Sequence, residues 1–198
     1  MNDLITRAES VNVEDAMMRR PELEIIYNAG KEYYKGGNIL EVGAYKGMTS
    51  YLLLGVMNEY AEVPESSRLY IVDIFKTGHP KSDWNWPYKK HPVSLIKKNL
   101  KEYGDMFVLL KGLSLDNDII TNYMSRTYDF VFIDGDHRFG TLLSELLLTD
   151  LVTDHMLGHD YGHPGVTQAV DTFCNKRGYE MKKFDNTYGL FEIIKNGQ

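Results

Sequence analysis

Short apolar runs alternate with amphipathic stretches along the chain, and this pattern predicts an α/β protein with a mostly parallel sheet. Residues 38–42 (Asn-Ile-Leu-Glu-Val) follow the breaker Gly36-Gly37 and read as a strand. Residues 48–60 then read as a helix, with a loop through Pro64. A second strand covers 68–73. After a long loop, Val93, Ile96, Leu100 and Tyr103 share one helix face, which Gly104 closes. Residues 107–110 and 128–133 are two more buried-type strands, and Phe139, Leu142, Leu143, Leu146 and Leu147 have helical spacing. A short strand at 155–158 precedes a helix opened by Pro164, with Val166, Ala169, Val170 and Phe173 inward and Gly178 at its end. Residues 180–184 and 190–194 flank a linker too short for a crossover helix, so they are expected to pair as antiparallel neighbours. Ahead of the first strand, 12–19 and 22–34 read as helices broken by Pro21, suited to a lid or a dimer surface. The expected architecture is a Rossmann-like doubly wound sheet of seven strands, mostly parallel, with a C-terminal antiparallel hairpin. One domain, 1–198, would hold N-terminal helices over 1–37 and the core over 38–198.

Composition narrows the function. With 43% hydrophobic and 25% charged residues, the chain has a globular rather than a disordered make-up. No run approaches the roughly 20 apolar residues that span a bilayer, and the first 20 residues lack a basic start followed by an apolar stretch, so a cytoplasmic protein without a membrane partner is expected. Cys174 is the only cysteine, which excludes an internal disulfide and fits a reducing compartment. Lys and Arg number 22 against 28 Asp and Glu, giving −6; this disfavours nucleic acid and points to a small-molecule partner.

Ligands of doubly wound sheets bind beyond the C-terminal ends of the strands. After the first strand stands Glu41-Val-Gly43-Ala44-Tyr45-Lys46-Gly47. A dinucleotide phasing from Gly43 would place Tyr45 and Met48 where the second and third glycines belong, which weakens the reading as a nucleotide-binding oxidoreductase. An acidic residue, a two-glycine turn and a helix start with Thr49 and Ser50 instead suit a ligand with an ammonium, a carboxylate and a ribose but no phosphate. S-adenosylmethionine is such a ligand. Tight strand-to-helix packing is the plainer use of the same glycines. Asp73 ends the second strand, where its carboxylate can accept both ribose hydroxyls or simply face solvent.

Taken together, ExGxxxG at 41–47, Asp73, Phe132-Ile-Asp-Gly-Asp-His137, and Gly158-His-Asp-Tyr161 followed by Pro164-Gly165 resemble a class I S-adenosylmethionine-dependent methyltransferase. The resemblance spans about 38–195 and is greatest to small bacterial and phage enzymes near the macrocin and cephalosporin-biosynthesis O-methyltransferases. It implies that Glu41, Gly43 and Gly47 shape the methionine pocket, with Ala44 and Tyr45 on the same cofactor turn. It also implies that Asp73 holds the ribose, Ser114 and Leu115 border the adenine, and Asp134 lies beside the sulfonium. The implied activity is methylation of a small-molecule acceptor, at a hydroxyl. A non-catalytic module binding S-adenosylmethionine or S-adenosylhomocysteine is the alternative. One departure is Thr149-Asp-Leu-Val-Thr-Asp-His155, where the family usually has a longer Lys-Pro-Gly-Gly-like turn.

Methyl transfer to a hydroxyl requires alignment of the acceptor and removal of its proton. Asp134, Asp136, His137, His159 and Asp160 are the candidates, and Asp134 and the His159-Asp160 pair end neighbouring strands. Two mechanisms are open. His159 acts as a general base near neutrality, the preferred reading. Alternatively Asp134, His159 and Asp160 hold Mg2+, as the resemblance to catechol-type O-methyltransferases implies, although a histidine suits magnesium poorly. His159 has a plainer reading as a partnered structural histidine, and His137 reads as a brace for its loop. The loop 76–92 carries Trp84, Trp86, Pro87 and Tyr88 and is the acceptor-pocket candidate, with packing or a homo-oligomer contact as its other uses. Lys89, Lys90, Lys97, Lys98 and Lys101 read as solvated surface.

Overall fold

Consecutive residues of the central strands face two different apolar layers, which is why these strands lack a polar alternation. The computed structural model describes residues 2–11, 17–60, 64–75 and 92–195. The strands are β1 (Ile39–Val42), β2 (Leu69–Asp73), β3 (Phe107–Lys111), β4 (Phe130–Ile133), β5 (Met156–Gly158), β6 (Glu180–Lys183) and β7 (Phe191–Ile194). They form one sheet in the order β3-β2-β1-β4-β5-β7-β6. Pairing is parallel from β3 through β5, and β7 runs antiparallel to both β5 and β6.

The helices are α1 (Asn2–Ser10), α2 (Arg20–Tyr33), α3 (Met48–Asn58), α4 (Val93–Asn99, followed by a 3-10 turn at Lys101–Tyr103), α5 (Asn117–Met124), α6 (Phe139–Thr149) and α7 (Pro164–Arg177). Ile39, Phe130, Phe132 and Leu157 pack with α1 to α4; Leu40, Val42, Val131 and Ile133 pack with α5 to α7. The switch point of the sheet lies between β1 and β4, and so the loops after these strands and after β2 and β5 meet at one edge.

Two helices depart from the sequence expectation. In place of a helix over 12–19, the first helix is α1 at Asn2–Ser10; 12–16 lie outside the described residues, and 17–19 are not helical. Pro21 sits in the first turn of α2, where its missing N–H is not needed, so it opens that helix rather than breaking a pair. The helix α5 between β3 and β4 was not expected, because only Ile119 and Tyr123 give it a buried stripe. Lys97, Lys98 and Lys101 are exposed as read, whereas Trp84, Trp86, Pro87, Tyr88, Lys89 and Lys90 lie outside the described residues. Among the described residues no helix is long and apolar enough to cross a membrane.

Candidate active site

The turn after β1 is held by backbone conformations that most residues avoid. Gly43 has φ +87° and Gly47 φ +88°, with Tyr45 between them at φ 49°. A Cβ on Gly43 would stand 2.0 Å from the carbonyl oxygen of Asp134, so only glycine lets β1 and β4 approach this closely at their ends. Gly43→Ala is therefore expected to destabilise the fold by on the order of 3 kcal/mol. A thermal melt within a degree of the wild type would contradict this.

Asp73 fastens the turn from the neighbouring strand. Its Oδ2 accepts the N–H groups of Ala44 and Tyr45, each at 2.9 Å, and its Oδ1 accepts that of Phe75 at 2.7 Å. Phe75 (φ 42°) and Asp160 (φ 64°) join Tyr45 as left-handed non-glycine residues just past strand ends. Strain of this kind persists where surrounding contacts over-determine it, commonly at functional sites. Below the turn, Glu41 is fully buried; its Oε2 accepts the Ser50 hydroxyl, and its Oε1 has no partner among the described residues. Burial pushes its carboxyl up to about 8.

A second cluster joins the ends of β4 and β5 to the start of α2. His159 is 7% exposed, and its Nε2 lies 3.0 Å from Oε1 of the fully buried Glu22. Its Nδ1 faces Asp160 Oδ1 at 3.4 Å and Asp134 Oδ1 at 3.8 Å. His137 Nε2 meets Asp160 Oδ2 at 2.7 Å. Burial alone would lower the pKa of His159, but hydrogen bonding to Asp160 and Glu22 and the charge of Asp134 raise it to about 10. Asp134 is raised to about 7 by burial, against the pull of His159. For Asp160, burial is outweighed by the two histidines, which hold it well below the usual carboxylate range.

These contacts bear on two expectations. A pKa raised to about 10 favours the protonated imidazole at neutral pH, a form that does not suit the expected near-neutral base. As for the expected Mg2+ set of Asp134, His159 and Asp160, one ring nitrogen of His159 is turned to Glu22 and the other faces Asp160 and Asp134. Among the described residues, the acidic and histidine side chains whose ligand atoms lie within 4.8 Å of one another are Asp134, His137 and Asp160. Glu22, the third residue of α2, was missed. Its position after Pro21 marks a helix start, and its Oε2 does accept the Arg19 N–H at 2.7 Å. Nothing in the sequence links it to a histidine 137 residues away.

Ser114 and Leu115 lie between β3 and α5. The Ser114 hydroxyl donates to Glu145, a buried α6 carboxylate absent from the sequence reading, which burial raises to about 7.

The shifts at His159, Asp134, Glu41 and Glu145 share one sign. Each group binds its proton more tightly in the folded chain, so each favours folding at low pH, and that favour is lost as pH rises. The windows run from 6.5 to about 10 for His159, 3.8 to about 7 for Asp134, 4.5 to about 8 for Glu41 and 4.5 to about 7 for Glu145. Asp160 acts oppositely, and its contribution is lost only as pH falls below the usual carboxylate range. Melting temperature is therefore expected to fall from pH 6 to pH 9, and a flat or rising profile by circular dichroism would contradict the cluster's electrostatics.

A seven-stranded sheet with one reversed strand, a glycine turn after β1 and acidic residues ending β2 and β4 define the class I S-adenosylmethionine-dependent methyltransferases. The chain belongs to the methyltransferase-domain family whose profile matches residues 40–161. No curated protein matches it in sequence. The same fold occurs in the O-methyltransferase TomG from Streptomyces achromogenes, solved with S-adenosylmethionine, at 14% identity and TM-score 0.66 over 100% of this chain and 91% of that one. It also occurs in an O-methyltransferase from Bacillus cereus solved with S-adenosylhomocysteine, at 13% identity and TM-score 0.66 over 98% and 90%. The calicheamicin methyltransferase CalS11 has 12% identity and TM-score 0.69 over 100% and 93%.

Proposed function

We propose that the protein transfers the methyl group of S-adenosylmethionine to a hydroxyl of a small molecule, with Asp134 as general base. The observation that carries this reading is the contact of the glycine turn with the end of β4, which sets a carboxylate of near-neutral pKa beside the cofactor turn. S-adenosylmethionine supplies, when bound, a methyl group on a positively charged sulfur. Glu41 fits its ammonium end, because a buried carboxylate oxygen without a partner among the described residues is costly unless a cation reaches it. Asp73 shapes the turn through Ala44 and Tyr45 and stands where the ribose hydroxyls would lie, while Ser114 and Leu115 border the base. Asp134 would take the acceptor's proton as the oxygen–carbon bond forms and the sulfur–carbon bond breaks, its electron pair leaving with the sulfur of S-adenosylhomocysteine; the role suits a group that titrates near the working pH. His159, protonated and fixed, offsets the negative charge that Asp134 and the acceptor oxygen share.

Titration calorimetry with S-adenosylmethionine and S-adenosylhomocysteine tests the first half of the reading, for which micromolar binding is expected. Transfer of labelled methyl to a panel of phenols and sugars tests the second. Absence of binding by folded protein would remove the cofactor assignment, and transfer to amines alone would remove the hydroxyl acceptor.

A further inference from the structure

We propose that the imidazole of His159, held in place by Glu22, occupies the position between Asp134 and Asp160 that a divalent cation would otherwise take, so that the site works without a metal ion. The inference rests on the methyltransferase reading of the same site, and the geometry supports it from three sides.

Glu22 is the first. Its Oε1 accepts the backbone N–H of Tyr188 at 2.5 Å and therefore presents lone pairs, so the His159 Nε2 at 3.0 Å must be the donor. With that proton fixed, the oxygens facing Nδ1 among the described residues are those of Asp160, an ionised acceptor, and Asp134. A ring that donates on both sides offers no lone pair to a metal, and it brings the positive charge that the two carboxylates need.

Asp160 is the second. One oxygen lies 2.7 Å from His137 Nε2 and the other faces His159 Nδ1 at 3.4 Å, so each already has an imidazole beside it. Magnesium in particular needs near-octahedral oxygen ligation, and a set containing histidine suits it poorly.

The junction around Glu22 is the third. Its carboxylate also accepts the Arg19 N–H, and the Arg19 guanidinium lies 3.1 Å over the Tyr188 ring. The start of α2 and the turn before β7 are thereby clamped together over His159. Glu22 is a positioning residue: it touches no reacting atom, but it fixes which way the imidazole faces.

The experiment is a titration of the full-length protein with Mn2+ and Mg2+, by calorimetry and by Mn2+ electron paramagnetic resonance, for the wild type and for His159→Asp. The wild type is expected to show no saturable binding at millimolar ion, and its affinity for S-adenosylmethionine is expected to be the same with EDTA. In His159→Asp an oxygen ligand replaces the imidazole, and Mn2+ is expected to bind at least tenfold tighter than in the wild type. His159→Asn, which also supplies an oxygen, serves if the aspartate variant does not fold. Submillimolar Mn2+ binding by the wild type would overturn the proposal. Loss of that binding in His137→Ala would assign the ion to Asp134, His137 and Asp160. Absence of binding in both the wild type and the folded variants would overturn it too, since the position would then not be a cation site. Failure of S-adenosylmethionine to bind is read in a separate titration and bears on the methyltransferase reading instead.

Discussion

Asp134→Asn is expected to slow methyl transfer by about 10²–10⁴-fold, the usual range for loss of a positioned general base, while S-adenosylmethionine affinity changes by less than about threefold. The asparagine keeps the shape of the site but cannot accept the acceptor's proton. It also removes one of the carboxylates facing Nδ1 of His159 and leaves Asp160 there, so the imidazolium keeps a charged partner and the fold should persist. The pH profile carries the sharper test. The acidic limb of wild-type turnover should follow a group near 7, and this limb should vanish in the variant. Full turnover by Asp134→Asn would show that the proton leaves by another route.

The second large effect falls on binding. Asp73→Ala removes the acceptor of three backbone N–H groups, two of them in the glycine turn. A hydrogen bond to a charged group contributes about 1.5–3 kcal/mol, and 1.4 kcal/mol is a tenfold change in affinity. Without the two turn contacts the glycine turn must be re-ordered on binding, which is expected to weaken S-adenosylmethionine binding by roughly a hundredfold, with any loss at the ribose added. Calorimetry would read this directly, and circular dichroism would show whether the sheet survives. Unchanged affinity in a folded variant would take Asp73 out of the cofactor site.

The central sheet was legible because β1, β2 and β4 bury both faces, and a run such as Phe130-Val-Phe-Ile133 has no other economical fate. The first helix was not, because Asn-Asp-Leu-Ile-Thr-Arg-Ala-Glu-Ser is mostly polar and presents only Leu4, Ile5 and Ala8 inward. Its signature lay elsewhere in the chain. Residues Met48 to Met57 of α3 are buried on every side, and a helix apolar all round demands a cover. Leu4 of α1 supplies it, pressed onto Gly55. Within the site, the strand-end carboxylates and glycines could be located because each adjoins an element whose period is visible. The protonation of His159 could not, since it depends on Glu22 and Asp134, which reach it from other elements. An isolated histidine titrates near neutrality; three carboxylates around one ring make a different group of it.

The position of β7 bears on how the chain is made. β7, the latest of the described strands in chain order, is not at the rim of the sheet but lies between β5 and β6, and among the described residues β6 pairs with no other strand. A nascent chain that ends before Phe191 leaves β5 with an open edge and β6 with nowhere to dock. The turn that gives Glu22 its Tyr188 contact is part of the same late hairpin. Although the glycine turn and its carboxylates Glu41, Asp73 and Asp134 all precede α6, the charged cluster closes only when β7, far downstream, has emerged and slid into place.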